Sequence, residues 1–136
     1  MRLFDTGFIV DLVNSDEGAV RLAKVVDEET SLAAISAISV HEYLFGIYFR
    51  YRRDADELKD KLVSARNDLQ RFEVIPVTRE VAETSGRIQA DLAAMGSQIG
   101  INDVYIAATA AHYGLSLVTR NTRHFKRISK LKIENY

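Results

Sequence analysis

Four side chains, far apart along this sequence, can do chemistry if the fold gathers them: Asp5, Glu42, Asp103 and Asn121. Asp5 stands in Leu3-Phe4-Asp5-Thr6-Gly7-Phe8-Ile9-Val10, an Asp-Thr-Gly triplet framed by apolar residues. An aspartic protease presents its catalytic carboxylate in such a triplet. An aspartate ending a short buried strand is also how several metal-dependent enzymes hold a cation. Each of the four has a purely structural reading as well. Asp5 suits a turn, because its carboxylate accepts local backbone hydrogen bonds. Ser39-Val40-His41-Glu42 has the S-x-x-E spacing of a capping box, in the first turn of a helix. Asp103 suits a helix N-terminus, and Asn121 a loop. Together they mean more than singly. Carboxylates brought to one place repel one another and raise each other's pKa. A hard divalent cation that prefers oxygen ligands, Mg²⁺ or Mn²⁺, removes that cost. It also supplies hydroxide and offsets charge in displacement at a phosphodiester.

The elements that must position these residues follow from short apolar runs alternating with longer amphipathic ones. Strands are predicted over Arg2–Phe4, Leu32–Ile35, Glu73–Val77, Ser116–Thr119 and Leu131–Glu134. Helical spacing covers Gly7–Asn14, Asp16–Glu28, Ser39–Arg52, Asp54–Phe72, Thr78–Met95 and Asn102–Tyr113. In the fourth of these, Leu58, Leu62, Ala65 and Leu69 form the apolar stripe; in the fifth, Val81, Ser85, Ile88 and Leu92 do. Thr78 is placed to cap a helix, and Gly96 and Gly114 to stop one. Strands alternating with helices imply an α/β fold, a mostly parallel sheet of four or five strands covered on both faces. Ligands in such folds bind beyond the carboxyl ends of the strands, where Asp5 and Asn121 fall.

Composition sets the bounds. The chain has 136 residues, 47% hydrophobic and 27% charged, which predicts one domain over 1–136 with a real core. A net charge of −1 leaves any nucleic-acid contact to a local patch. Without cysteine, disulfides and thiolate zinc sites are excluded. No apolar run approaches the ~20 residues of a membrane span, and no signal peptide is evident, so the expected location is cytoplasmic.

Three stretches, LFDTGFIVDL, ISAISVHEYLFGI and INDVYIAATAAHYGLSLVTRNTRHF, resemble, in this order and spacing, the PIN-domain ribonucleases, in particular the VapC-like toxins of toxin–antitoxin pairs. The resemblance covers nearly the whole chain. It implies a PIN-like three-layer sandwich and a Mg²⁺- or Mn²⁺-dependent endoribonuclease acting on structured RNA of the translation machinery. It also implies inhibition by a cognate VapB-like antitoxin, and a homodimer. Position by position, Asp5, Glu42 and Asp103 match the core acidic metal ligands, and Asn121 the fourth site position. Thr6 and Thr119 match frequent neighbours of the first and fourth positions, and Asp11 recurs in the first motif as a peripheral residue. Two positions depart from the family pattern: Gly7, where many members have Asn or Ser, and His124, where many have Asp. The fourth carboxylate is therefore missing at both places where it is expected.

Other features take their reading from this frame. Arg120, Arg123, Lys126, Arg127, Lys130 and Lys132 form a basic strip without an acid, beside Asn121. Arg120, Arg123 and His124, with Thr6 and Thr119, are the expected substrate contacts. Tyr43, Phe45, Tyr48, Phe49 and Tyr51 crowd one helix, more aromatics than a single buried stripe needs. Phe45 and Phe49 can pack in a core, while Tyr48 and Phe49 are the expected partner-facing residues. The three histidines lack zinc-site spacing. The competing readings are an aspartic protease, which a helix-rich chain does not suit, another acid-based metal-dependent phosphoesterase, and a catalytically weak PIN-fold module that binds RNA or protein.

Overall fold

Short apolar runs that each end in a polar residue build the centre of the sheet. In the computed structural model, which describes residues 1–136, β1 is Arg2–Phe4, β2 Ala33–Ser36, β3 Glu73–Ile75, β4 Ser116–Val118 and β5 Lys132–Glu134. The helices are α1 Thr6–Val13, α2 Glu17–Glu28, α3 Ala37–Arg50, α4 Ala55–Leu69, α5 Arg79–Ala94, α6 Ile101–Tyr113 and α7 Thr122–Phe125. All neighbouring strands are parallel, in the order β3-β2-β1-β4-β5. Phe4 lies level with Ile35 on one side and Val118 on the other. Asp5, Ser36 and Thr119 therefore leave the sheet at the same end. The chain winds outward one way from β1 through β2 to β3, and the other way from β4 to β5. The β1/β4 boundary is thus the switch point where a crevice opens in folds of this kind.

Strand side chains alternate between faces. Leu3, Ala34 and Leu117 point into a core with Val81, Ile88 and Leu92 of α5 and Val104, Ala107 and Ala108 of α6. Phe4, Ile35 and Val118 point the other way, against Phe8 and Ile9 of α1, Ala19, Ala23 and Val26 of α2, and Phe72. Helices on both faces of one sheet give the expected three layers. Thr78 caps α5, accepting from Val81 N at 3.2 Å, and the Val81, Ser85, Ile88, Leu92 stripe is the buried one. Alanines on α6 let that helix approach the sheet closely. It stops at Gly114, whose φ of +65° is the left-handed conformation that glycine adopts without strain. No helix is long and apolar enough to cross a membrane.

Two helix starts shift in ways that matter for the candidate residues. α1 begins at Thr6, one residue early, because Asp5 itself is the cap. α3 begins at Ala37, capped by Ser36, whose hydroxyl accepts from Ile38 N at 3.1 Å. The Ser39–Glu42 capping box does not form. Ser39 is buried with no partner for its hydroxyl, and Glu42 moves to the second turn, free for other work.

Candidate active site

Asp5 leaves β1 in an extended conformation and turns into α1. Its Oδ1 accepts from Phe8 N at 2.9 Å, and its Oδ2 accepts from the Thr119 hydroxyl. Thr119 is fully buried, and its oxygen in turn accepts from Asn121 N at 3.0 Å. Both oxygens of Asp5 are thereby fixed, one by a helix N-terminus and one by the end of β4. Burial pushes its carboxyl pKa up, and the Asp103 and Asp11 carboxylates push it further, against the two hydrogen bonds. At Gly7 the backbone is ordinary helix, and an added Cβ would stand 3.4 Å from Asp5 Oδ1, so glycine is not demanded there.

Glu42 bridges three helices. Its Oε1 accepts from Thr6 Oγ1 at 2.7 Å, and its Oε2 from Asn102 Nδ2 at 3.4 Å. Asp103, in the first turn of α6, approaches His124 Nδ1 at 3.3 Å. Asn121 Nδ2 donates to the same ring nitrogen at 2.8 Å. The hydrogen-bonded path therefore runs from Asp5 through Thr119 and Asn121 to His124, whose Nδ1 lies beside Asp103. The N-terminus of α6 thus brings Asp103 near Asp5 and His124.

The donor set is oxygen throughout, as a hard divalent cation prefers, and the repulsion felt by Asp5 is what such a cation would offset. The cage is not ready-made, however: no three carboxylate or imidazole groups are gathered at ligating range. Glu42 is turned to Thr6 and Asn102, and Asp103 to His124. The residues fit the cation in chemistry and in placement at one sheet end.

The expected substrate contacts divide. Thr6 and Thr119 serve the carboxylates, as just described. Arg120 is taken up by other partners: its guanidinium pairs with Asp16 at 2.6 Å and Asp11 at 3.1 Å, and lies 4.4 Å over the Tyr136 ring. Gly18 makes room for it, since a Cβ there would stand 2.7 Å from Arg120 Nη2. Asp16, pulled down by Arg120 and by the Ala19 amide it caps, has a pKa of about 2. Tyr136 donates to Asp11 at 2.7 Å, and burial raises its own pKa. Arg123 is exposed and makes no ion pair. On α3 Tyr43 packs against the core, but the other aromatics lie outside: Phe45 is 59% exposed, Tyr48 46% and Phe49 58%. His41, Phe45 and Phe49 stack along the helix, with Arg52 above Phe49.

Sequence reasoning did not single out Asn102, Asp16 or Tyr136. Asn102 carried a signal, adjacency to Asp103 at a helix start. The other two owe their role to Arg120, more than a hundred residues from Asp16, and nothing local announces it.

The family model for the PIN domain matches residues 2–131. The chain is 32% identical over 107 residues to the tRNA(fMet)-specific endonuclease VapC of Salmonella typhimurium, covering 79% of this chain and 77% of that one. It is 27% identical over 135 residues to ribonuclease VapC2 of Haemophilus influenzae, covering 98% and 96%. Its fold is similar to that in the crystal structure of DNA-bound VapBC from Salmonella typhimurium, with a TM-score of 0.83, 29% identity, and 99% and 98% of the chains covered.

Proposed function

The chain belongs to the PIN-domain family, and from that premise we propose that it is a divalent-metal-dependent endoribonuclease toxin. Its substrate is structured RNA of the translation machinery, which sets it to work in the cytoplasm, as one domain. The observation that carries the reading is the hydrogen-bonded path from Asp5 through Thr119 and Asn121 to His124 at the β1/β4 switch point, with Asp103 3.3 Å from that ring and Glu42 nearby. Relatives named as ribonucleases, one specific for a transfer RNA, support the substrate class.

Asp5, Glu42 and Asp103 would hold Mg²⁺ or Mn²⁺. Bound there, the cation supplies an activated water and charge neutralisation for in-line displacement at a phosphate. The chain's own residues prepare the place. Thr119 and the α1 N-terminus fix Asp5 so that it does not rotate when a ligand arrives. Thr6 and Asn102 hold Glu42 in reserve. His124 stands between Asn121 and Asp103 with its ring exposed, placed to contact a phosphate oxygen. The stacked aromatic face of α3, with Tyr48 and Phe49, is the surface for an antitoxin segment or a second copy of the chain. Solved relatives described as VapBC complexes support an antitoxin partner.

The test is cleavage of total RNA by the partner-free protein with Mg²⁺ or Mn²⁺. Cleavage is expected to vanish with EDTA and in Asp5→Asn and Asp103→Asn. Unchanged cleavage in those variants would refute the site. The absence of a preformed cage and of a fourth carboxylate favours, as second reading, a module that binds RNA without cutting it. Wild-type protein inert toward every structured RNA would select it.

A further inference from the structure

The basic strip of the sequence is split by the fold. Arg120 is consumed by Asp11 and Asp16, whereas Arg123, Lys126, Arg127, Lys130 and Lys132 have no carboxylate partner. Two of these free cations, Arg127 and Lys130, line a groove of about 650 Å³ between α5 and the segment joining α7 to β5. From the far side α5 contributes Arg87, exposed and likewise unpaired. Asp91 is the one carboxylate on the lining, so the groove keeps a positive excess. Its buried apolar lining is made by Ile88, Leu92 and Ile128.

We propose that this groove is an exosite for the phosphate backbone of RNA, gripping the substrate outside the β1/β4 crevice. The inference rests on the ribonuclease reading above and extends it to a second contact surface. Three points carry it. Unpaired guanidinium and ammonium groups facing one another across an open groove suit a polyanion, because each phosphate neutralised also releases condensed counterions. One hydrogen bond links the groove to the segment that carries the site: Arg127 Nη1 donates to Ser97 at 2.8 Å, in the loop that leads into Asn102 and Asp103. Lys130 is held with φ at +64°, a left-handed conformation that a lysine adopts against its preference, at the rim itself. No aromatic side chain lines the groove, so bases have no stacking platform there and the grip is on backbone, independent of sequence.

The experiment separates this proposal from the activity. Binding of fluorescently labelled bulk transfer RNA is measured by anisotropy in EDTA, where nothing is cut, for wild type and for Arg87→Ala/Arg127→Ala/Lys130→Ala. The expected result is a rise in Kd of about tenfold or more near ~0.15 M salt, with the slope of log Kd against log salt smaller by about 2–3. A triple variant with the same charge change on exposed residues elsewhere, Arg21→Ala/Lys24→Ala/Lys59→Ala, should keep wild-type affinity. The all-lysine version at positions 87, 127 and 130 should restore it, which excludes a folding defect. Kd and salt slope unchanged in the groove variant would overturn the exosite, including the case in which the groove serves an acidic protein instead. Cleavage is assayed separately: loss in wild type refutes the ribonuclease reading alone, and with cleavage present the groove variant should raise KM about tenfold at unchanged kcat.

Discussion

Asp5 and Asp103 stand at the same end of the sheet and repel one another, yet they are held in opposite ways. Asp5 has both carboxylate oxygens satisfied, one by an α1 amide and one by a buried threonine, and burial raises its pKa. Asp103 lies in the first turn of a different helix and has one long contact, to a histidine that is itself exposed. One corner of the site is built in advance and the other is left adjustable. That division suits a crevice that must admit both a cation and a phosphate. The fixed acid sets the reference position, and the loose one closes the coordination when the ligands are present. Desolvating Asp5 costs stability in the free protein, and the stability curve should carry that signature.

The largest effects come from removing either charge. Asp5→Asn and Asp103→Asn should each lower cleavage by about 10³-fold or more, the loss of several kcal/mol of charge stabilisation. Their stabilities should diverge. The pKa of Asp5 is raised in the folded state, so the fold binds an extra proton between the ordinary value of 3.8 and the raised one, and stability falls as pH rises through that window. Asp5→Asn removes this loss. Its melting temperature should match wild type below pH ~4 and exceed it at pH 7. Asp103→Asn should gain less. Equal melting curves for the two variants at pH 7 would break the contrast between the corners.

Thr119→Val probes how the fixed corner is fixed. It keeps the shape of a fully buried side chain but leaves Asp5 Oδ2 without its donor and Asn121 N without its acceptor. Unfolding by denaturant should show a loss of about 1–3 kcal/mol, the usual cost of orphaned buried polar groups. Cleavage should fall about tenfold or more. His124→Ala probes the loose corner in the same way. Stability should stay within about 0.5 kcal/mol, as for an exposed site. Cation affinity measured by calorimetry should drop only a few fold, because one 3.3 Å contact is all Asp103 loses. A loss as large as that of Thr119→Val would mean that both corners are equally preorganised.

Much of this was legible before the fold was known, for reasons that differ residue by residue. The α5 stripe and the stops at Gly96 and Gly114 are local signals, and burial and positive φ bear them out. The alternation of strand and helix was enough for the parallel sheet. Asp5 was legible as a candidate but not as the cap of α1, since one carboxylate with two oxygens can do both jobs. The S-x-x-E spacing placed the cap at Ser39. Only the extended backbone at the end of β2 decides for Ser36, and that decision releases Glu42. Phe45 and Phe49 have the spacing of a buried stripe; their exposure follows from which face of α3 meets the sheet, a tertiary matter. Arg120 was the least legible. A cation beside a candidate site invites an RNA contact, and its true ion-pair partners, Asp11 and Asp16, are more than a hundred residues away.

Arg120 therefore gives the sharpest test at the smallest scale. If its work is the clamp on α1 and α2, Arg120→Ala should leave kcat and KM for RNA within about threefold and lower the melting temperature by no more than a few degrees, since exposed ion pairs contribute little. The loss should also have a defined pH profile. Asp16 is held at about 2, below its ordinary 3.8, so the stability it gains from Arg120 is present above pH ~4 and fades as pH falls toward 2. Wild type and variant should converge there, and at neutral pH in high salt the gap should narrow, because the pair is exposed. A rise in KM with kcat and melting temperature intact would reverse the assignment. Arg120 would then leave Asp16 to reach the substrate, and the apparent clamp would be the resting state of a binding residue.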